Sequence, residues 1–240
     1  MPRKMPYSRP RVQQGSTGTK DGRDMVRTRH LIFDLDGTLV DSAPDLATAL
    51  NGLLAELGKP PLAESTVRSM VGDGAGVLVE RGLAASGLGD ADRPAALKRF
   101  LALYRDCLID QTRAYPEVEA VLERLQAEGH KLAVCTNKPY DPTQRILKAL
   151  KLDRFFGTVI GGDSLPKRKP DPEPLLAAIE GLGGTASDAV MIGDSANDVA
   201  CARAAAVTAI LIPSDYGNPA EDADLKLTRF AELPDALARL

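Results

Sequence analysis

Five short apolar runs set the terms for any fold of this chain: LIFDL (31–35), KLAVCT (131–136), GTVIGG (157–162), AVMIGD (189–194) and AVTAILI (206–212). Their length and β-branched content suit strands covered on both faces. Helical patterns fill the intervals between the later runs. Val118, Val121, Leu122 and Leu125 fall at i, i+3, i+4 and i+7 and predict a helix over 117–128, with Gly129 placed to end it. Asp141-Pro142 and Asp171-Pro172 each read as an N-cap followed by proline in the first turn, opening helices that carry Ile146, Leu147 and Leu150, and Leu175, Leu176 and Ile179. Strands alternating with helices predict a parallel sheet with helices on both faces.

The interval between the first run and the second breaks this rhythm. From Asp45 to about Arg113 there is no strand pattern, only helical ones: Leu46, Leu50, Leu53, Leu54 and Leu57 closed by Gly58, then Leu97, Phe100, Leu101, Tyr104 and Leu108. An insertion directly after the first strand's loop lies over the carboxyl edge of the sheet, where open α/β folds bind ligands. The expected fold is therefore α/β, a Rossmann-like doubly wound parallel sheet core (30–44 and 114–240) with an inserted all-helical cap domain (45–113).

Charge divides the chain unevenly. The first 29 residues hold eight Lys/Arg against Asp21 and Asp24, so of the net −3 they contribute +6 and the remainder −9. The segment lacks an apolar stretch long enough for a signal peptide or a membrane span and reads as a disordered basic extension. The acidic body argues against a nucleic-acid partner, and no sequence feature argues for a membrane. Cys107, Cys135 and Cys201 are odd in number and widely spaced, which fits a reducing cytoplasm and core packing better than a disulfide framework.

The ends of the runs carry the chemistry. A parallel sheet gathers at one edge Asp34 and Asp36 from the first loop, Thr136-Asn137-Lys138 from the second, Lys169 from the third, and Asp194 with Asp198 from the fourth. Asp34 and Asp36, two apart on extended chain, point the same way. At ~4 Å and an effective dielectric of about 20 such a pair costs about 4 kcal/mol, so positive charge is expected beside them. Three carboxylate-bearing loops suit a hard cation, with Mg²⁺ the common choice where phosphate is handled. Thr136, Asn137 and the turn amides at Gly37 and Thr38 can bind an oxyanion that Lys169 neutralises. In that arrangement Asp34 is the nucleophile toward a small phosphorylated metabolite, and Asp36 is the acid and then the base for water. In the insertion, VGDGAG with Gly72, Asp73 and Gly74 reads either as a flexible loop or as a loop that brings backbone amides to a small carboxylate.

DLDGTL, TN, KP and GDSANDV in that order resemble the haloacid dehalogenase superfamily of phosphotransferases, in the branch whose helical cap follows the first motif. The longer stretches FDLDGTLVDSAPDLATALN, VGDGAGVLVERGL, CTNKP, VIGGDSLPKRKPDPEPLL and GDSANDVACARAA are similar to those of the bacterial phosphoglycolate phosphatase family, from about Leu31 to the C-terminus. The resemblance implies Mg²⁺ held by the Asp34 carboxylate, the Asp36 backbone carbonyl and Asp194, and an aspartyl-phosphate on Asp34. It implies that Lys169, which precedes Pro170, is the catalytic lysine rather than Lys167 or Arg168, and that Asp198 orients Lys169 or a metal-bound water. It further implies hydrolysis of 2-phosphoglycolate to glycolate, in the cytoplasm, by a monomer or homodimer.

Two positions depart from the family pattern. YPEV replaces YPGV, placing Glu117 at the head of a helix, where an acid suits the macrodipole. Ala205-Ala206 replaces Ala-Gly after the fourth motif, so the helix end must avoid the left-handed cap or strain it. Other small phosphomonoesters, a phosphomutase, and a non-catalytic binding protein on the same fold stay open as alternatives.

Overall fold

The computed structural model describes residues 28–217, 220 and 222–240, so all but the last two residues of the basic extension lie outside the described residues. In chain order the core begins with His30–Phe33 (β1) and the two-residue strand Val40–Asp41 (β2). Four helices follow: Ala43–Glu56 (α1), Glu64–Arg68 (α2), Ala75–Ala85 (α3) and Arg93–Cys107 (α4). The chain returns through Arg113–Ala114 (β3), Val118–Ala127 (α5), Lys131–Cys135 (β4), Tyr140–Ala149 (α6) and Phe156–Ile160 (β5). It ends with Glu173–Gly181 (α7), Ala189–Gly193 (β6), Ala196–Ala204 (α8), Thr208–Leu211 (β7), Leu225–Lys226 (β8) and Leu233–Leu237 (α9).

Six of the strands form one parallel sheet in the order β5-β4-β1-β6-β7-β8. The first three build outward from β1 on one side and the last three on the other, so the order reverses between β1 and β6, and there the loops part to leave a crevice. Alternate residues serve opposite faces. Leu31, Phe33, Val134 and Ile192 pack with the side chains of α5, α6 and α9 in one cluster, whereas Ile32, Cys135 and Met191 pack with those of α7 and α8 in another. The all-apolar central strands follow from this double coverage.

Helix starts differ from the sequence expectation by one or two residues. Asp163 accepts from the Tyr140 amide at 2.7 Å, so α6 begins at Tyr140 and Asp141 falls inside its first turn instead of capping it. Pro172 stands at the N-cap of α7, and Asp171 reaches over it to accept from the Glu173 amide at 3.0 Å. Glu117 is the N-cap residue of α5 and accepts from the Ala231 amide at 3.1 Å, so this departure from the family pattern ties α5 to the C-terminal segment. Ala206 takes the left-handed conformation at φ 54°, which an alanine adopts only with strain.

The helical insertion stands on a narrow neck. β2 and β3 pair antiparallel, Val40 opposite Ala114 and Asp41 opposite Arg113. Above the ribbon Asp45, fully buried in the first turn of α1, accepts from the amides of Gln111 and Thr112 at 2.8–3.1 Å and from the Thr112 hydroxyl at 2.7 Å. α1 thus starts two residues before the expected boundary, and its Asp45 binds the returning chain to the departing one. α1 and α4 then bury Leu46, Leu50, Leu53, Phe100, Tyr104 and Leu108 together, whereas Leu57 and Leu101 of the expected stripes are exposed.

Candidate active site

Asp34 and Asp194 leave the adjacent strands β1 and β6 at the reversal of strand order, and the Asp34 amide still pairs with the Ile192 carbonyl at 2.9 Å. Lys169 arrives from the loop after β5, its Nζ 3.0 Å from Asp34 Oδ1 and 2.6 Å from Asp198 Oδ1. This geometry selects Lys169 over its neighbours: Lys167 pairs with Asp171 at 3.0 Å, and Arg168 lies against Gly74. Asp198 is pinned from its other side, since its Oδ2 accepts from the Ser195 amide at 3.0 Å and the Ser195 hydroxyl at 2.6 Å in a capping box at the start of α8. Both Asp198 oxygens are thereby occupied, so it orients Lys169.

Each of the opening carboxylates has its own ammonium. Asp34 faces Lys169, and Asp36 faces Lys138, whose Nζ lies 3.1 Å from both Asp36 oxygens. The Ser42 hydroxyl donates to Asp36 Oδ1 at 2.5 Å. Four carboxylates (Asp34, Asp36, Asp194, Asp198) against two ammonium groups leave two negative charges in a buried space.

The titration of these groups reflects that surplus. Burial, opposed by Lys169 and assisted by Asp198, lifts the Asp34 carboxyl to about 6. Burial together with Asp34 and Asp198 pushes Asp194 well above the carboxylate range, despite its hydrogen bonds from Ser214 and Thr38. Burial works against the Lys169 charge, but Asp198 and Asp34 outweigh it and keep its pKa above the ordinary lysine value. One ligand atom each from Asp34, Asp194 and Asp198 lies within 4.8 Å of the others. A buried, oxygen-only donor set with two uncompensated negative charges fits a hard divalent cation.

Gly37 and Thr38 serve Asp194 instead of the cavity. Their amides donate within the turn, to the Val40 and Leu35 carbonyls, so they are not free for an oxyanion, contrary to the sequence expectation. The Thr38 hydroxyl donates to Asp194 Oδ1 at 2.9 Å. Gly37 sits at φ 84°, and a Cβ there would fall 2.3 Å from Asp194 Oδ2. Only glycine allows both the turn and the approach.

The insertion closes over this edge. Asp34, Asp36, Thr136, Asn137 and Lys138 from the core and Val71, Gly72, Gly74, Phe100 and Tyr104 from the insertion line one cavity of about 30 Å³. Asn137 Nδ2 bridges the carbonyls of Gly72 at 3.1 Å and Lys169 at 3.0 Å. Asn197 Nδ2 donates to Asp73 Oδ1 at 2.7 Å, and Arg81 pairs with Asp73 at 2.6 Å. The Gly72–Gly74 loop therefore docks on the core through a carbonyl and a carboxylate. At the neck Arg68 holds Asp41 at 2.9 Å and Asp215 at 3.2 Å, while the Tyr216 hydroxyl donates to Asp41 and accepts from the amides of Ser42 and Ala43 at 2.8 Å.

Sequence reasoning placed Lys138 in the right loop and gave it no task, and it missed Asn197, Arg68 and Tyr216 altogether. Lys138 was accessible to it, since a carboxylate pair in want of two cations had one lysine on each of two converging loops. The other three act across the gap between insertion and core, for which a single sequence carries no local signal.

Residues 31–212 match the family described as haloacid dehalogenase-like hydrolase. The chain belongs to this family. Among curated relatives it is 46% identical to "Phosphoglycolate phosphatase" of Caulobacter vibrioides over 88% of this chain and 91% of that one, and 48% identical to the protein of the same name of Rhodospirillum rubrum over 78% and 80%. Among solved structures, a crystal structure described as a predicted phosphoglycolate phosphatase from Haemophilus somnus superposes with a TM-score of 0.82 at 32% identity, covering 88% of this chain and 99% of that one. Among the described residues, no helix is long and apolar enough to cross a membrane.

Proposed function

We propose that this haloacid dehalogenase-like hydrolase is a Mg²⁺-dependent phosphomonoesterase that converts 2-phosphoglycolate to glycolate and phosphate. The observation that carries the chemistry is Asp34: its Oδ1 is taken by the Leu35 amide at 2.7 Å and by Lys169, which leaves Oδ2 to attack phosphorus. The relatives' shared name supports the choice of ester. Mg²⁺ held by Asp34, Asp194 and the Asp36 backbone carbonyl would offset the charge of the phosphate dianion as the carboxylate approaches. Lys169, locked by Asp198, donates to the phosphate oxygens, and the Thr136 hydroxyl and Asn137 amide steady them. The new Oδ2–P bond forms as the ester P–O bond breaks, and Asp36 delivers a proton to the departing alkoxide. Asp36 then takes a proton from water, whose oxygen attacks phosphorus and returns Asp34 to its carboxylate. Closure of the insertion excludes bulk water from the aspartyl-phosphate until glycolate has left.

The test is phosphate release from a panel of 2-phosphoglycolate, glucose phosphates, nucleotides and N-acetylmuramate 6-phosphate, with Mg²⁺ and with chelator. A Mg²⁺-dependent preference for 2-phosphoglycolate, abolished in a folded Asp34→Asn variant, is the expected result. Preference for a larger ester would keep the mechanism and discard the substrate, and robust turnover by Asp34→Asn would remove the nucleophile.

A further inference from the structure

The cavity wall facing away from Asp34 has features the hydrolytic steps do not use. Of its lining residues only Lys138 is cationic. The Lys138 side chain is 3% exposed, and among the described residues its ammonium, which can donate three hydrogen bonds, meets only the carboxylate of Asp36. From the insertion, the Tyr104 ring lies 4.8 Å from Lys138 Nζ. Tyr104 itself is buried at 3% exposure and lines the cavity, and among the described residues its hydroxyl, near that of Ser42, makes no hydrogen bond of good geometry. Such a hydroxyl costs stability unless a ligand satisfies it. The third wall is the start of α3, where Gly74 and Ala75 border the cavity. The first amides of a helix lack partners within it and carry the positive end of its dipole.

An ammonium, a hydroxyl and a helix N-terminus therefore converge beside Asp36, and the rest of this wall is apolar, with Leu46, Leu78 and Phe100. The position relative to Asp36 fixes what the three can hold. Asp36 must touch the ester oxygen of the leaving group, and Lys138 touches Asp36. An anionic group held by Lys138 then lies on the leaving group, close to that oxygen. With a single cation and little space, the fitting anion is a carboxylate and not a second phosphate. We propose that Lys138, the Tyr104 hydroxyl and the first turn of α3 bind the carboxylate of the substrate, and so select phosphate esters of 2-hydroxy acids. This inference rests on the phosphomonoesterase reading of the site. Two of the three donors belong to the insertion, so the carboxylate is fully held only when the insertion closes.

The experiment compares kcat/KM for 2-phosphoglycolate and for 2-hydroxyethyl phosphate, its analogue without the carboxylate, using the full chain with Mg²⁺. Lys138→Met disturbs Asp36 for both esters, so the ratio of the two values is the informative quantity. Loss of the buried cation is expected to lower that ratio roughly 100-fold. Tyr104→Phe removes one oxygen atom and keeps the ring against Phe100. It is expected to lower the ratio roughly tenfold, and it remains readable where Lys138→Met weakens the fold. In parallel, glycolate inhibition of p-nitrophenyl phosphate hydrolysis should weaken in both variants. Equal loss for both esters in Lys138→Met, or a ratio unchanged in Tyr104→Phe, overturns the assignment. A parent protein that rejects 2-phosphoglycolate while glycolate still inhibits it through Lys138 refutes the substrate of the preceding section and leaves the carboxylate site standing.

Discussion

Replacing Lys169 by Met keeps the apolar stem and removes an ammonium that stands between two buried carboxylates. The lysine side chain is 1% exposed, and those of Asp198 and Asp34 are 2% and 9%, so water cannot take the vacated place. Breaking a buried ion pair from one side costs about 3–5 kcal/mol. In a chain of this size each kcal/mol shifts Tm by about 2–4 °C, so the metal-free variant should melt roughly 6–20 °C below the parent at pH 7.5. The deficit depends on pH in a definite direction. Without the cation the Asp34 carboxyl, already raised by burial, holds its proton still more tightly in the folded state than in the unfolded one, a contribution present at low pH and lost as pH rises through the folded pKa. The shortfall should therefore shrink by at least about half at pH 5. Differential scanning calorimetry in chelator at the two pH values measures this, with phosphate release read alongside. A Tm within 2 °C of the parent at pH 7.5, or a deficit equal at both pH values, would refute the account of Lys169 as the counter-ion of this pair.

Three further outcomes are expected. Because Asp34 titrates at about 6 against 3.8 when unfolded, and Asp194 is raised as well, the stability these groups contribute is present below pH 3.8 and lost as pH rises through 6. Millimolar Mg²⁺ replaces those protons and should raise Tm more at pH 7.5 than at pH 5; a melting curve unmoved at pH 7.5 argues against a preformed cation site. Gly37→Ala combines a φ of 84° with a Cβ 2.3 Å from Asp194 Oδ2, and should cost about 1–3 kcal/mol in denaturant unfolding and depress kcat; normal Mg²⁺ dependence in that variant would contradict it. Ala206→Gly relieves a left-handed alanine on an exposed turn and should raise stability by up to about 1 kcal/mol, read as a higher urea midpoint at unchanged slope.

The sheet was legible because the central strands β1, β4 and β6 are buried and largely apolar, and the runs at β5 and β7, though only partly buried, are too short for helices. Asp34 and Asp194 were legible because each stands at the end of such a run, and Lys169, in the loop beyond the third, because the family resemblance singles out the lysine before Pro170; the parallel topology brings the three together. β2, β3 and β8 were not, since two residues carry no periodicity and their pairing is imposed by what they connect. The earlier start of α6 has a similar origin: Asp163, far along the chain, supplies the hydrogen bond that a local cap would have given. Gly37 and Thr38 were found by position and misread in task, because the sequence shows a turn with free amides while the fold spends those amides inside the turn. The sequence left Gly72 and Asp73 open between a flexible loop and a substrate loop, because which of their atoms faces the core depends on Asn137 and Asn197, residues of other loops.

The paired strands of the neck bear on how such a chain can change over time. The insertion leaves at Asp41 and returns at Arg113, positions that face one another across a ladder. A segment whose two ends meet can be lengthened, shortened or exchanged without asking the sheet to move, since neither junction spans a distance. Asp34, proposed as the nucleophile, lies with Lys169 and the neighbouring carboxylates on the unchanging side of that junction, whereas Tyr104 and α3, proposed to read the ester, lie on the exchangeable one. Bond-breaking and the choice of ester are thus inherited as separable parts, and one such scaffold can acquire a new substrate by replacing what it wears rather than what it does.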